Sequence, residues 1–107
     1  MCGIVAYIGQ EQPIINLMYL MADNQSRGKH STGAYIDGKI LKTEGLSTEL
    51  ISMINKNKIE NAELFIGHTR HATHGAKTAE NTHPYTYGKY IGVHNGMLSN
   101  YDMLLNE

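Results

Sequence analysis

Met1-Cys2-Gly3-Ile4-Val5 opens the chain and contains its one cysteine. With Met1 removed, Cys2 carries a thiol and a free α-amine on the same carbon. A thiol titrates near ~8.5 and an α-amine near ~8, so part of the amine is free base at neutral pH and can take the thiol's proton. One residue then supplies both nucleophile and base. The ordinary reading of a lone cysteine is different: a small, inert, buried hydrophobe. Gly3 to Gly9 (GIVAYIG) is a short apolar run that reads as a buried strand beginning right at Cys2. A strand end holds a reactive group firmly. The choice between reactive thiol and core filler therefore falls to the rest of the chain.

The surrounding composition is that of one small globular domain. The chain has 107 residues, 41% hydrophobic and 18% charged, which argues against disorder. Nine basic and ten acidic residues give a net charge of -1. No block of like charge points to nucleic acid or to a membrane surface. A single cysteine cannot form an internal disulfide, which fits a reducing compartment. No apolar run approaches the ~20 residues that span a bilayer, and the N-terminus lacks a basic signal-peptide start. A cytoplasmic soluble protein is the economical inference.

Downstream, Pro13 to Asp23 reads as a helix with Pro13 in its first turn. Its apolar face is Ile14, Leu17, Met18 and Met21, and the methionines are core filling. Asn24 to Thr32 is a polar loop in which Arg27 and His30 look like surface residues. Gly33 to Ile36 and Lys39 to Lys42 form a hairpin around Asp37-Gly38. Leu46 to Lys56 is a second helix, capped by Ser47 or Thr48, with Leu50, Ile51 and Ile54 as its stripe. Asn57 to Ala62 is a polar connection, and Leu64 to Thr69 is a strand. Residues 76 to 90 read as one long irregular loop, a feature that usually serves function or marks disorder. Tyr90 to His94 is a short strand. Ser99 caps a helix starting near Asn100, with Met103 and Leu104 on one face, and its interruption at Glu107 reads as a fragment.

The densest polar run is Gly67-His68-Thr69-Arg70-His71-Ala72-Thr73-His74-Gly75. On a helix its three histidines would share a face and suit zinc. The run follows a strand, and in extended chain His71 points away from His68 and His74. No H-E-x-x-H pattern is present, so a metal site is not expected, nor is any cofactor. Arg70, one of two arginines in the chain, sits at a strand end, either as a surface residue or as a bidentate carboxylate holder. Asn95-Gly96 reads equally as a type I′ turn or as two oxyanion-hole donors, and spacing does not choose between them.

Taken in order, five motifs resemble one family. They are Met1-Cys2-Gly3-Ile4-Val5; Arg27-Gly28 with Ser31 and Gly33; Gly67-His68-Thr69-Arg70 with Ala72-Thr73-His74-Gly75; Asn81 with His83-Pro84; and His94-Asn95-Gly96. The chain resembles the glutaminase domain of class II glutamine amidotransferases, which are N-terminal nucleophile hydrolases. Ala72-Thr73-His74-Gly75 looks closest to the glucosamine-6-phosphate synthase branch. The resemblance spans residues 1 to about 104.

It implies an α+β fold: a four-layer αββα sandwich with antiparallel sheets, of which only the N-terminal half is present. Residues 1–107 would be a glutaminase domain cut short on its C-terminal side. Cys2 would attack the glutamine side-chain amide, form a thioester and release ammonia, with its α-amine as base. Asn95 and Gly96 would form the oxyanion hole, and Arg70 would bind the glutamine α-carboxylate. Thr73 and His74 would line the pocket, and Arg27 would order the N-terminus. His68, His83 and His94 would be structural. Implied partners are L-glutamine and a synthase domain or subunit that accepts ammonia, with room for a homo-oligomer. His71 stands where the branch has tryptophan. The aspartate that the family's second half directs at the glutamine α-amine has no counterpart, since Asp102 follows Gly96 too closely. The alternative is a catalytically inactive, truncated interaction module of the same fold, whose open sheet edges favour association.

Overall fold

The computed structural model describes residues 2–25, 30–71 and 82–94. Among them the elements run β1 (Gly3–Pro13), α1 (Ile14–Asp23), β2 (Ser31–Ile36), β3 (Lys39–Thr43), α2 (Ser47–Lys56), β4 (Asn61–Arg70), β5 (Tyr85–Tyr87) and β6 (Tyr90–Gly92). This is an α+β arrangement with two antiparallel sheets, a four-stranded one in the order β1-β4-β2-β3 and the β5-β6 hairpin.

Register assigns the two faces of the larger sheet. Val5 pairs with Gly67, Gly67 with Ala34, and Ala34 with Leu41. Tyr7, Phe65 and Ile36 form the next row. Side chains alternate along each strand, so these residues share one face. That face meets both helices: Val5, Ala34, Ile36 and Phe65 form the core with Leu17, Met18 and Met21 of α1 and Leu50 and Ile54 of α2. Ile14 and Ile51 are half-buried against it. The expected helical stripes therefore point inward. Gly67 makes room for Met21, whose sulfur lies where a Cβ would stand.

The opposite face carries Ile4, Ala6 and Ile8 on β1, Leu64, Ile66 and His68 on β4, and Tyr35 on β2. Ile4 and Ile8 are 40% and 81% exposed. Residues 82–85 cover the His68 end of this face. A Cβ on Gly33 would overlap the His83 carbonyl oxygen and come within 3.1 Å of Thr82 Cγ2. The Lys42 ammonium lies 5.0 Å from the Tyr85 ring centre. The layers thus run helices, sheet, then the start of a second sheet.

Several boundaries differ from the sequence reading. β1 continues past Gly9 through Gln10-Glu11-Gln12, because a register shift between Ile8 and Gln12 lets it keep pairing with β4. Pro13 is the N-cap of α1 rather than its first turn, and the Ile14 N–H is met by the Glu60 carbonyl at 2.8 Å. β2 and β4 are longer than expected, and Asn61-Ala62 belongs to β4 rather than to a connection. Neither Ser47 nor Thr48 caps α2. Leu46 is the N-cap without a side-chain bond, and Gln25 Oε1 accepts from the Ser47 N–H at 2.7 Å. A distant amide thus replaces the local hydroxyl. The expected loop 76–90 contains β5 and the first residue of β6, which ends at Gly92 rather than His94. The expected helix near Asn100 lies outside the described residues.

The Asp37-Gly38 hairpin holds, with φ of 45° and 100°. Asp37 does more than turn. Its carboxylate accepts from the Leu64 N–H at 2.9 Å and the Glu63 N–H at 3.2 Å, and its own N–H reaches the Leu64 carbonyl at 3.1 Å.

Gly33→Ala is expected to lower stability by about 1–3 kcal/mol through overpacking against backbone. Urea denaturation checks the loss. Accelerated amide exchange confined to residues 82–94 would show that this segment is what yields.

Candidate active site

The site is built at the end of β4. Ser31 pairs with Arg70, Thr32 with Thr69, and Gly3 with Thr69, so Cys2 is next in register toward Arg70. Cys2 is half-buried and lies just before β1 rather than within it. Its sulfur sits against the backbone of His71, between the N–H of one peptide group and the carbonyl of the next. The His71 N–H donates to Cys2 Sγ at 3.3 Å, and the thiol donates to the His71 carbonyl at 3.6 Å. Gly3 leaves no bulk between Cys2 and β4, since a Cβ there would overlap Thr69 Oγ1 and come within 2.9 Å of Asn24 Cβ. Thr69 Oγ1 in turn donates to the Asn24 carbonyl at 3.0 Å, tying the end of α1 to this corner.

Arg70 is 6% exposed, so the surface reading of this arginine is overturned. Around it lies a buried polar belt of Ser31, Thr32, His68, Thr69 and Thr82. Burying so many polar groups is costly unless they find partners. Thr82 Oγ1 donates to Ser31 Oγ at 2.7 Å, and Thr32 Oγ1 to the Gly45 carbonyl at 3.0 Å.

His68 is 1% exposed and its ring stacks on His83 with centroids 4.2 Å apart. The His94 N–H donates to His83 Nδ1 at 2.9 Å, so the residue preceding Asn95 is anchored beside this stack. Burial pushes the His68 pKa down to about 4, reinforced by the charge of His83. The His94 backbone opposes this, and the charges of Arg70 and His94 add further repulsion. His83 is likewise held down to about 4, first by burial and then by the charges of His94, Arg70 and Lys42.

Three separated parts of the chain therefore converge: Cys2, Arg70-His71 and His83 with His94. Arg27, Thr73, His74, Asn95 and Gly96 lie outside the described residues. Among the described residues, no three histidine, cysteine or carboxylate side chains converge as a metal set would. His30, read from sequence as a surface residue, is half-buried and stacks on His71 at 4.7 Å. Nothing in the local sequence signals that contact, because the two residues meet only through the β2-β4 pairing. Ser31, Gly33 and His83 stood in the ordered motifs, which is the signal that places them here; Thr82 carried none.

Residues 39–107 match the family model described as class-II glutamine amidotransferases. The chain belongs to the class-II glutamine amidotransferases. Its resemblance to them, read from the motifs, is borne out. Among relatives of this amidotransferase chain is the glutamine–fructose-6-phosphate aminotransferase (isomerizing) of Staphylococcus epidermidis, 41% identical over 113 aligned positions that cover all of this chain and 19% of that protein. The protein of the same name from Aquifex aeolicus is 39% identical with the same coverages. That from Clostridium perfringens is 40% identical, covering 99% of this chain and 18% of its own length. The chain thus spans about a fifth of the length of the curated relatives it matches.

The pH dependence of stability follows from the buried stack. An unfolded histidine takes up its proton near 6.5, whereas His68 does so only near about 4. Between these values the unfolded chain binds more protons, so stability falls as pH drops through that window and is fully retained above it. His68→Phe, which keeps a ring without a titrating nitrogen, is expected to give a shallower loss between pH 6.5 and 4. Urea midpoints measured across that range on both proteins check the difference.

Proposed function

We propose that this chain is the nucleophile-bearing part of a glutaminase domain, hydrolysing the glutamine side-chain amide to glutamate and ammonia. The observation that carries this reading is the Cys2 sulfur resting on the His71 peptide, one residue from the buried Arg70, in a member of the class-II glutamine amidotransferases. In this reading residues 1–107 are one truncated domain. Its helix, sheet and second-sheet layers belong to a four-layer sandwich whose remainder is contributed by further chain. The setting is cytoplasmic. Among the described residues no helix is long and apolar enough to cross a membrane.

The chemistry runs in two halves. With Met1 gone, the Cys2 α-amine takes the thiol proton and the sulfur attacks the amide carbon. The developing oxyanion is received by the Asn95 side-chain NH₂ and the Gly96 N–H. The amine returns its proton to the leaving nitrogen, the C–N bond breaks, and ammonia departs from a thioester. Water then attacks that thioester with the α-amine again as base, releasing glutamate and restoring the thiol. The His71 N–H, donating to sulfur, helps to hold the nucleophile in place. Arg70 holds the glutamine α-carboxylate, for which a planar guanidinium fork suits better than an ammonium. Thr73 and His74 line the pocket, and Arg27 orders the N-terminus. The ammonia passes to an acceptor on another domain or subunit, the arrangement suggested by the aminotransferase relatives.

A second reading has its own observation. Ile4 and Ile8 leave an apolar sheet face open, as a catalytically silent interaction module would. Glutamine turnover by the processed chain separates the two.

With Met1 removal verified by intact mass, Cys2→Ser is expected to lower glutamine turnover by about 10³-fold or more. Unchanged turnover would sink the assignment. Labelling at Cys2 by a diazo-ketone analogue of glutamine is expected in the parent and absent in the variant. Arg70→Lys keeps the charge but loses the fork. It is expected to raise KM for glutamine by about tenfold or more with a smaller change in kcat, measured by steady-state ammonia release.

A further inference from the structure

The His71 backbone meets Cys2 Sγ twice: its N–H, part of the 70–71 peptide, donates at 3.3 Å, and its carbonyl, part of the next peptide, accepts from the thiol at 3.6 Å. Yet His71 is exposed and lies just past the end of β4, where the sheet ladder no longer fixes it. Among the described residues, His30 holds it. The His30 N–H donates to the Arg70 carbonyl at 2.9 Å, which is the carbonyl of the peptide unit containing the His71 N–H. The His30 ring stacks on the His71 ring, with centroids 4.7 Å apart and planes 23° apart. One residue therefore grips the 70–71 peptide through its backbone and the His71 side chain through its ring.

We propose that the stacked pair His30–His71 is a brace that positions the Cys2 sulfur, making His30 a positioning residue for the nucleophile. Stacking fixes the torsions on either side of the His71 peptide. Without it, the 70–71 peptide keeps its backbone bond from His30, but its N–H is held less firmly against the sulfur. The orientation of one N–H relative to one carbonyl matters here. The N–H donates to the sulfur and the carbonyl accepts from the thiol, so the two contacts together fix where the sulfur points. The brace needs an aromatic ring at position 30 and not a titrating one, which distinguishes it from an acid or base. The inference rests on the reading of Cys2 as the nucleophile, but its test does not require glutamine.

The test is the rate of Cys2 alkylation by iodoacetamide at fixed pH, on the full chain with Met1 removed, followed by mass. His30→Ala and His71→Ala are each expected to slow alkylation by about threefold to tenfold, the scale of one aromatic pair. The double variant is expected to be no slower than the slower single, since both remove one interaction. His30→Phe restores a stacking ring and is expected to restore the rate. Where glutamine turnover is measurable, kcat falls with the alkylation rate and KM stays unchanged. Unaltered alkylation in both alanine variants, multiplicative losses in the double, or failure of His30→Phe to rescue would each overturn the brace. If His30→Ala does not fold, His71→Ala and His30→Phe decide the matter alone. Because iodoacetamide needs no substrate pocket, a chain without glutaminase activity still reports on the brace.

Discussion

The ladder that β4 makes on both its edges is the constraint from which the rest follows. Its pairing with β1 brings Gly3 to Thr69, and its pairing with β2 brings Ser31 to Arg70. Each pairing also fixes which side chains face the helices. A slip of one residue would turn Phe65 outward and bring Ile66 inward, undoing the core and the site together. The same register that buries Val5 against Met21 therefore delivers the residue before β1 to the residue after β4. Core and site are two ends of one alignment, so the thiol inherits the rigidity of the sheet without being part of it.

The cost of the site is visible beside it. Among the described residues, neither ring nitrogen of the buried His68 meets a hydrogen-bond partner, and a buried arginine lies close by. An apolar residue of similar shape would cost less to bury there. The surrounding hydroxyls of Ser31, Thr69 and Thr82 offset part of this by bonding one another or nearby backbone. Polar groups are gathered in one corner, with aliphatic packing kept to the helix face, so local stability is given up where the proposed site lies.

Local rules read well where the determining contacts are local. Asp37-Gly38 takes positive φ at both positions, as a two-residue hairpin requires, and the periodic faces of α1 and α2 point into the core. Cys2 and Arg70 stood in the ordered motifs, and the β4 register brings them side by side, while the roles given to them are proposals. What escaped were effects of distance. Gln10-Glu11-Gln12 looked like loop because polar residues hid a strand sustained by its partner. Ser47 looked like a cap, but a side chain from residue 25 had already taken its N–H. His30 looked like surface because its stacking partner is far away in sequence. Of the remaining named site residues, Thr73, His74, Asn95, Gly96 and Arg27 stand on motif alone.

Two glycine turns in this chain look interchangeable on paper, and they are not. At Gly88 and at Gly38 alike, a Cβ would meet nothing within 4 Å among the described residues, and the difference lies in Asp37. At Asp37-Gly38 the turn reaches sideways and clasps β4 through the Asp37 carboxylate and amide. For anyone splicing an epitope, a fluorophore or a permuted terminus into this scaffold, the first turn is a doorway and the second is a hinge pin. An insertion at Gly88 lengthens a loop; one at Gly38 unfastens the central strand that carries Arg70.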